Sequence, residues 1–304
     1  MSKIKEITII GYGNQAKAWA SNLRDSGLKV YIALREDSPS VQLVQQKFQV
    51  VSLNKELPTD FAVMLTPDES HPNLLQTLAS CNKQLHIIYA HGYSLYASTL
   101  AKDYSQFKHI LLAPKCIAAE LRFRYEHKEA LTCFYSLEYV TEDLKETVID
   151  LSQNLGAHYC YPSSFKEETQ ADLFSEQTIL CNLLPFGMAE SFKILIDKGY
   201  SEELAFFECF YEVKLIMDTI YKKGPKDFFN LISPNALIGA NEGKKTLFDE
   251  SFLLKMNSLL NSIEGQDFNK IVSKEKYESS LKELNEYWDL NPLTKAYSRL
   301  KDHL

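Results

Sequence analysis

The sequence predicts an α/β chain: a doubly wound, parallel-sheet domain over residues 1–162, then an all-helical domain over 163–304. Three observations predict it. Short β-rich runs alternate with helical spacing in the first half, the pattern of a parallel sheet covered on both faces. A glycine-rich turn within "ITIIGYGNQAKAWA" joins the first run to the first helix. From about residue 163 the segments lengthen, the apolar period becomes 3.6 and strand signals vanish. A length of 304 residues also favours two cores over one.

The elements follow in order. "ITII" reads as a strand ending at Gly11, and "AKAWASNLRDSG" as a helix closed by Gly27. "KVYIAL", "FAVMLT", "HIIYA" and "HILLAP" are short apolar strands between helical segments. "SEELAFFECFYEVKLIMDTIYKKG" is a helix of more than twenty residues with Gly224 as its stop. No repeat, low-complexity tract or long linker interrupts the chain.

The turn itself is G-x-G-x-x-A. Gly11 permits the tight bend, Gly13 lets backbone approach a pyrophosphate, and Ala16 lets helix and strand pack closely. At the first strand–helix junction of an α/β pattern this predicts a Rossmann-type dinucleotide site at Gly11, Tyr12, Gly13, Asn14 and Gln15. The second strand ends in "YIALREDSPS", with Arg35 where an NAD site places an acid. A guanidinium with Ser38 and Ser40 suits a 2′-phosphate, hence NADPH, while Glu36 and Asp37 would repel one. The alternative is an exposed charged loop.

Two stretches carry carboxylates four apart: Asp172 and Glu176 in "KEETQADLFSEQTILCN", Glu208 and Glu212 in "AFFECFYEVKLIMD". Residues at that spacing share a helix face. Their apolar neighbours predict burial, and a buried carboxylate needs a cation, a partner or a proton. Oxygen ligands without His or Cys select a hard divalent ion such as Mg²⁺, and four carboxylates suffice for two ions. The alternative is a solvated acidic face. His91 in "HIIYAHGYS" and Lys115 in "HILLAPKCIAA" each follow a strand, where open α/β sheets bind ligands.

Composition narrows the class. A net charge of −7 without a Lys/Arg cluster gives no footprint for nucleic acid. "MSKIKEITII" lacks a signal-peptide pattern, and no unbroken apolar run reaches the length of a membrane span. The six cysteines are scattered without ligand-like spacing, as free thiols in a reducing compartment, which predicts the cytoplasm.

Together "GYGNQAKAWASNLRDSG", "LTPDESH", "AHGYS", "APK", "KEETQADLFSEQTILCN" and "GYSEELAFFECFYEVKLIMDTIY" resemble short-chain ketol-acid reductoisomerases over nearly the whole chain. The resemblance implies two Mg²⁺ ions on Asp172, Glu176, Glu208 and Glu212, with Asp172 bridging them. It implies catalytic roles for His91, Lys115 and Glu176, and substrate contact by Ser233 in "NLISPNA". It further implies alkyl migration in a 2-hydroxy-3-keto acid such as acetolactate, then reduction by NADPH. The helical domain would intertwine in a homodimer, with the second carboxylate pair supplied by the partner subunit. Two stretches depart from the family: "CIAA" replaces a Pro-Gly loop after Lys115, and "PNALIGA" replaces "NTAEYG" after Ser233. A diverged member reducing another 2-keto acid, or a silent nucleotide-binding relative, are the alternatives.

Overall fold

A computed structural model describes residues 4–304. Two compact units emerge, one ending at Ala171 and one running from Asp172 to Leu304.

The first unit is built on an eight-stranded sheet. Its strands are β1 (Glu6–Ile10), β2 (Lys29–Leu34), β3 (Gln49–Ser52), β4 (Phe61–Met64), β5 (His86–Tyr89), β6 (Lys108–Pro114), β7 (Thr132–Ser136) and β8 (Tyr159–Pro162). They lie in the order β3-β2-β1-β4-β5-β6-β7-β8. All neighbours are parallel except β6 and β7, so the sheet is the doubly wound, mostly parallel one expected, with one antiparallel pair. The helices of this unit are α1 (Asn14–Asp25), α2 (Val41–Gln45), α3 (His71–Cys81), α4 (Tyr93–Tyr96), α5 (Leu100–Asp103), α6 (Ala118–His127) and α7 (Lys145–Asn154).

Two cores explain why the central strands read as unbroken apolar runs. Successive strand residues face opposite sides. Ile7, Ile9, Ile32 and Val63 join Trp19, Leu121 and Leu151 in one core, while Ile10, Ala33, Met64 and Tyr89 join Leu75 and Leu78 in the other. The chain order reverses between β1 and β4, the switch point beyond whose carboxyl strand ends open α/β sheets bind their ligands.

The second unit is helical, as expected, but its two long helices are not uniform. α8 (Phe165–Ser175), which crosses the division between the units, runs into a π-helical segment, Glu176–Leu183, and then α9 (Leu184–Asp197). After a break, α10 (Glu202–Phe206) runs into a second π segment, Phe207–Tyr211, and then α11 (Glu212–Lys223). Such wide turns are rare and are often found at functional sites. Further helices span Pro234–Leu247, Glu250–Glu264, Lys274–Leu290 and Pro292–Leu300.

The buried cluster of this unit is small: Ala189, Phe192, Ala205, Phe206, Leu293 and Ala296. Among the described residues, all exposed large apolar side chains other than Leu43, Ile117, Phe123, Tyr139, Tyr159 and Tyr161 belong to this unit. The helix Phe165–Asp197 also contains an 18-residue window of mean hydropathy 1.5, long and apolar enough to cross a membrane by length and composition. It is not a run of eighteen apolar residues, since its Leu, Ile, Phe and Ala are interspersed with small polar residues and few charges.

Candidate active site

The glycine turn has the geometry the motif requires. Gly11 adopts φ +96°, and a Cβ there would fall 2.7 Å from Thr66 Cγ2 and 2.8 Å from the Leu65 carbonyl oxygen. Any side chain would force β1 and β4 apart. Gly13 has no such neighbour: a Cβ would meet nothing within 4 Å. The space above it is open, which is what close approach of a pyrophosphate needs. Asn14 begins α1, and Tyr12 packs edge-on to Phe48 at 6.3 Å. The Gln15 amide donates to the Cys116 carbonyl at 3.4 Å, tying the turn to the "CIAA" loop. That loop and α1 border a cleft of about 530 Å³ lined by Asn14, Lys17, Ile117 and Arg122 among others.

Arg35 follows β2 directly, with its side chain 74% exposed and its Nε 3.8 Å from Asp37 Oδ1. An exposed pair at that distance contributes little and leaves the guanidinium available to a stronger anion. Ser38 and Ser40 lie on the turn before α2, with the Ser40 amide donating to Ser38 Oγ at 3.4 Å.

His91 and Lys115 come together around a residue that the sequence reading missed. Glu168, in the first turns of α8, is 4% exposed. Its Oε1 lies 2.7 Å from Lys115 Nζ, and its Oε2 accepts the Gly92 amide at 3.0 Å and lies 3.4 Å from His91 Nδ1. A carboxylate can only accept, so Nδ1 carries the proton that faces it, and Nε2 is left for other contacts. Burial raises the Glu168 pKa, but His91 and Lys115 outweigh it and hold the carboxyl at about 2. Glu168 is therefore ionised at neutral pH, with one cation and one imidazole fixed by it.

The close approach of α8 depends on Gly92. A Cβ there would fall 2.5 Å from Thr169 Oγ1 and 2.8 Å from the Phe165 carbonyl oxygen. The missing signal was available: Glu168, Asp172 and Glu176 are spaced by four, so three acids rather than two follow one helix face.

The carboxylate pairs sit where the helices widen. Glu176 opens the first π segment, Glu208 lies inside the second, and Glu212 begins α11. The expectation of burial is corrected: Asp172 is half-buried, and Glu176, Glu208 and Glu212 are exposed in the single chain. The apolar residues beside them, Ile179, Leu180, Leu204 and Leu215 among them, are exposed as well. Among the described residues, no cluster of metal-ligand geometry joins Glu208 and Glu212 to Asp172 and Glu176. Ser233 is exposed and caps the helix Pro234–Leu247, its Oγ accepting the Ala236 amide at 3.2 Å.

A doubly wound domain with a dinucleotide turn and an acid–base cluster at its strand ends, followed by an acidic helical unit, defines a class of nucleotide-dependent oxidoreductase. Within that class the assignment is specific. Residues 1–159 match the family model described as "Acetohydroxy acid isomeroreductase, NADPH-binding domain", and residues 165–303 match "Ketol-acid reductoisomerase, C-terminal domain". A "Ketol-acid reductoisomerase (NADP(+))" of Xanthomonas campestris pv. campestris (strain B100) is 31% identical over 87% of this chain and 81% of its own length. One from Clostridioides difficile (strain 630) is 30% identical over 91% and 86%. The solved structure of an NADH-preferring ketol-acid reductoisomerase from an uncultured archean superposes with a TM-score of 0.87, at 25% identity over 99% of this chain and 95% of that one. The chain belongs to the ketol-acid reductoisomerase family.

Proposed function

We propose that this enzyme converts 2-acetolactate or 2-aceto-2-hydroxybutyrate to the 2,3-dihydroxy acid, by Mg²⁺-dependent alkyl migration followed by reduction with NADPH. The observation that carries this reading is Glu168, buried between His91 and Lys115 and followed on the same helix face by Asp172 and Glu176. An acid–base group thus continues directly into a metal-ligating one. When bound, magnesium supplies the Lewis acidity that polarises the substrate's hydroxyl and carbonyl, and NADPH supplies the hydride.

This chain's residues do the rest. Asp172 and Glu176 hold metal from one side with oxygen donors only, the set that suits a hard ion. Lys115, oriented by Glu168, donates toward a substrate oxygen. His91 exchanges a proton at Nε2, its tautomer fixed through Nδ1. Gly13 and the amino end of α1 receive the pyrophosphate, and Arg35 with Ser38 and Ser40 receives the 2′-phosphate.

Glu208 and Glu212 complete the metal set from a second copy of the chain. The exposed apolar side chains of the helical unit support a homodimer over a bilayer. They are spread over many helices and interleaved with carboxylates, and exposed apolar surface on this scale marks an interface. Burial against a second copy would also give the acids the low-dielectric setting that a metal then compensates. Sedimentation at micromolar concentration should show dimers or larger species; an active monomer would refute the shared site.

The assignment is tested by following NADPH oxidation with acetolactate, with and without Mg²⁺, beside a simple 2-keto acid. Turnover of both substrates, and of acetolactate only with Mg²⁺, is expected. Turnover of the keto acid alone would make this a plain reductase. Repeating the assay with NADH and with Arg35→Ala checks the cofactor. The substitution should weaken NADPH about tenfold, the scale of one charge-assisted phosphate contact, and leave NADH unchanged.

A further inference from the structure

The segment "LTPDESH" contains a buried histidine to which the mechanism above gives no task. His71, the first residue of α3, is 3% exposed. Its Nε2 lies 3.0 Å from the Thr66 carbonyl oxygen and its Nδ1 2.8 Å from Ser94 Oγ. The carbonyl only accepts, so Nε2 carries the proton. Burial lowers the His71 pKa, against the opposing pull of Asp68 at 3.7 Å, and the ring is neutral. Nδ1 is therefore an acceptor, and the Ser94 hydroxyl donates to it.

The two partners follow two neighbouring strands, β4 and β5. Thr66 follows β4 and is the residue that a Cβ on Gly11 would strike, so its position and that of the cofactor turn are mutually fixed. Its hydroxyl is enclosed without a protein partner. Ser94, 5% exposed, is three residues after His91 and two after Gly92, in the segment that receives Glu168. One neutral imidazole thus spans the end of β4 and the end of β5.

We propose that His71 is a positioning residue that couples the cofactor turn to the catalytic loop. Through Thr66, which packs directly under Gly11, it fixes the turn on which the dinucleotide would rest. Through Ser94 it fixes the loop carrying His91. This rests on the reading of the site as NADPH-dependent, and it predicts that the two effects are separable.

Three variants of the full chain separate them: His71→Met fills the space without either bond, His71→Gln places an amide near the Nε2 position, and His71→Asn places one near Nδ1. NADPH affinity is measured by fluorescence titration without substrate, and kcat by turnover of acetolactate. His71→Met should weaken NADPH binding and lower kcat, each by about tenfold, the scale of one buried hydrogen bond. His71→Gln should recover affinity but not kcat, and His71→Asn kcat but not affinity. Equal loss of both quantities in all three variants, tracking a lowered melting temperature, would make His71 a core residue only and overturn the proposal. So would a His71→Met variant with both quantities intact. If the wild type binds NADPH yet fails to turn over acetolactate, the functional reading falls, and the affinity pattern still decides the Thr66 half of the coupling.

Discussion

Asp172→Asn should abolish acetolactate isomerisation and leave NADPH affinity within about twofold of wild type. The variant keeps the shape of the side chain and removes one charge. On the two-metal reading proposed above, charge develops on two substrate oxygens during the alkyl shift, and losing a carboxylate ligand would remove the ion that balances them. A defect of this kind costs several kcal/mol, or about a thousandfold in turnover. The glycine turn around Gly11 and Gly13 is untouched, so cofactor binding should persist. Were Asp172 only a helix-face acid, the substitution would change stability by about 1 kcal/mol and leave chemistry intact.

The same variant tests whether two copies share a site. Glu208→Gln alone should be as inactive as Asp172→Asn. If the proposed dimer shares its sites, co-expression of the two variants would give mixed dimers in which one site collects intact Asp172 and Glu176 from one chain and Glu208 and Glu212 from the other. Random pairing then restores about a quarter of wild-type turnover, because half the dimers are mixed and each has one working site. Failure of the mixture to recover any activity would place all four ligands on a single chain.

Much of this architecture was legible from local pattern. β1, β2, β4, β5 and β6 lie in the middle of the sheet, buried on both faces, and such strands must be apolar throughout. β3, β7 and β8 escaped because they lie toward the edges, where "QVVS" and "YCYP" carry half-exposed residues and Tyr159 is 57% exposed. The antiparallel sense of β7 has no periodic signature, since it depends on where the chain returns after α6. His91 and Lys115 were readable from their positions past strand ends. Glu168 was not, because "KEET" resembles the solvated first turn of a helix, and its burial depends on Gly92 admitting α8 to within van der Waals contact. The π segments were equally invisible: a shift from i→i+4 to i→i+5 hydrogen bonding has no composition of its own.

Glu168→Gln should be the most damaging substitution at the acid–base cluster, in stability as well as in rate. The amide keeps the volume but cannot balance Lys115, so a partly buried ammonium loses its counter-ion, and breaking such a pair costs about 3–5 kcal/mol. The pH dependence gives the interaction a signature of its own. The Glu168 pKa is held at about 2 in the folded chain, against 4.5 for an ordinary glutamate. A carboxyl whose folded pKa lies below its unfolded one stabilises the fold above the unfolded value, and that contribution fades as pH falls toward the folded value. It amounts to about 3 kcal/mol, present in full at neutral pH and lost between about pH 4.5 and pH 2. Wild type and Glu168→Gln should thus differ most in unfolding free energy near pH 7, and the gap should narrow steadily below pH 4.5. Turnover by the variant should fall at least about a hundredfold, because Lys115 and His91 both lose the group that orients them. Denaturant unfolding at several pH values, beside kcat at neutral pH, checks both halves. A stability gap that is the same at pH 7 and pH 3 would mean that Glu168 is not held ionised by these partners, and unchanged turnover would remove it from the active site.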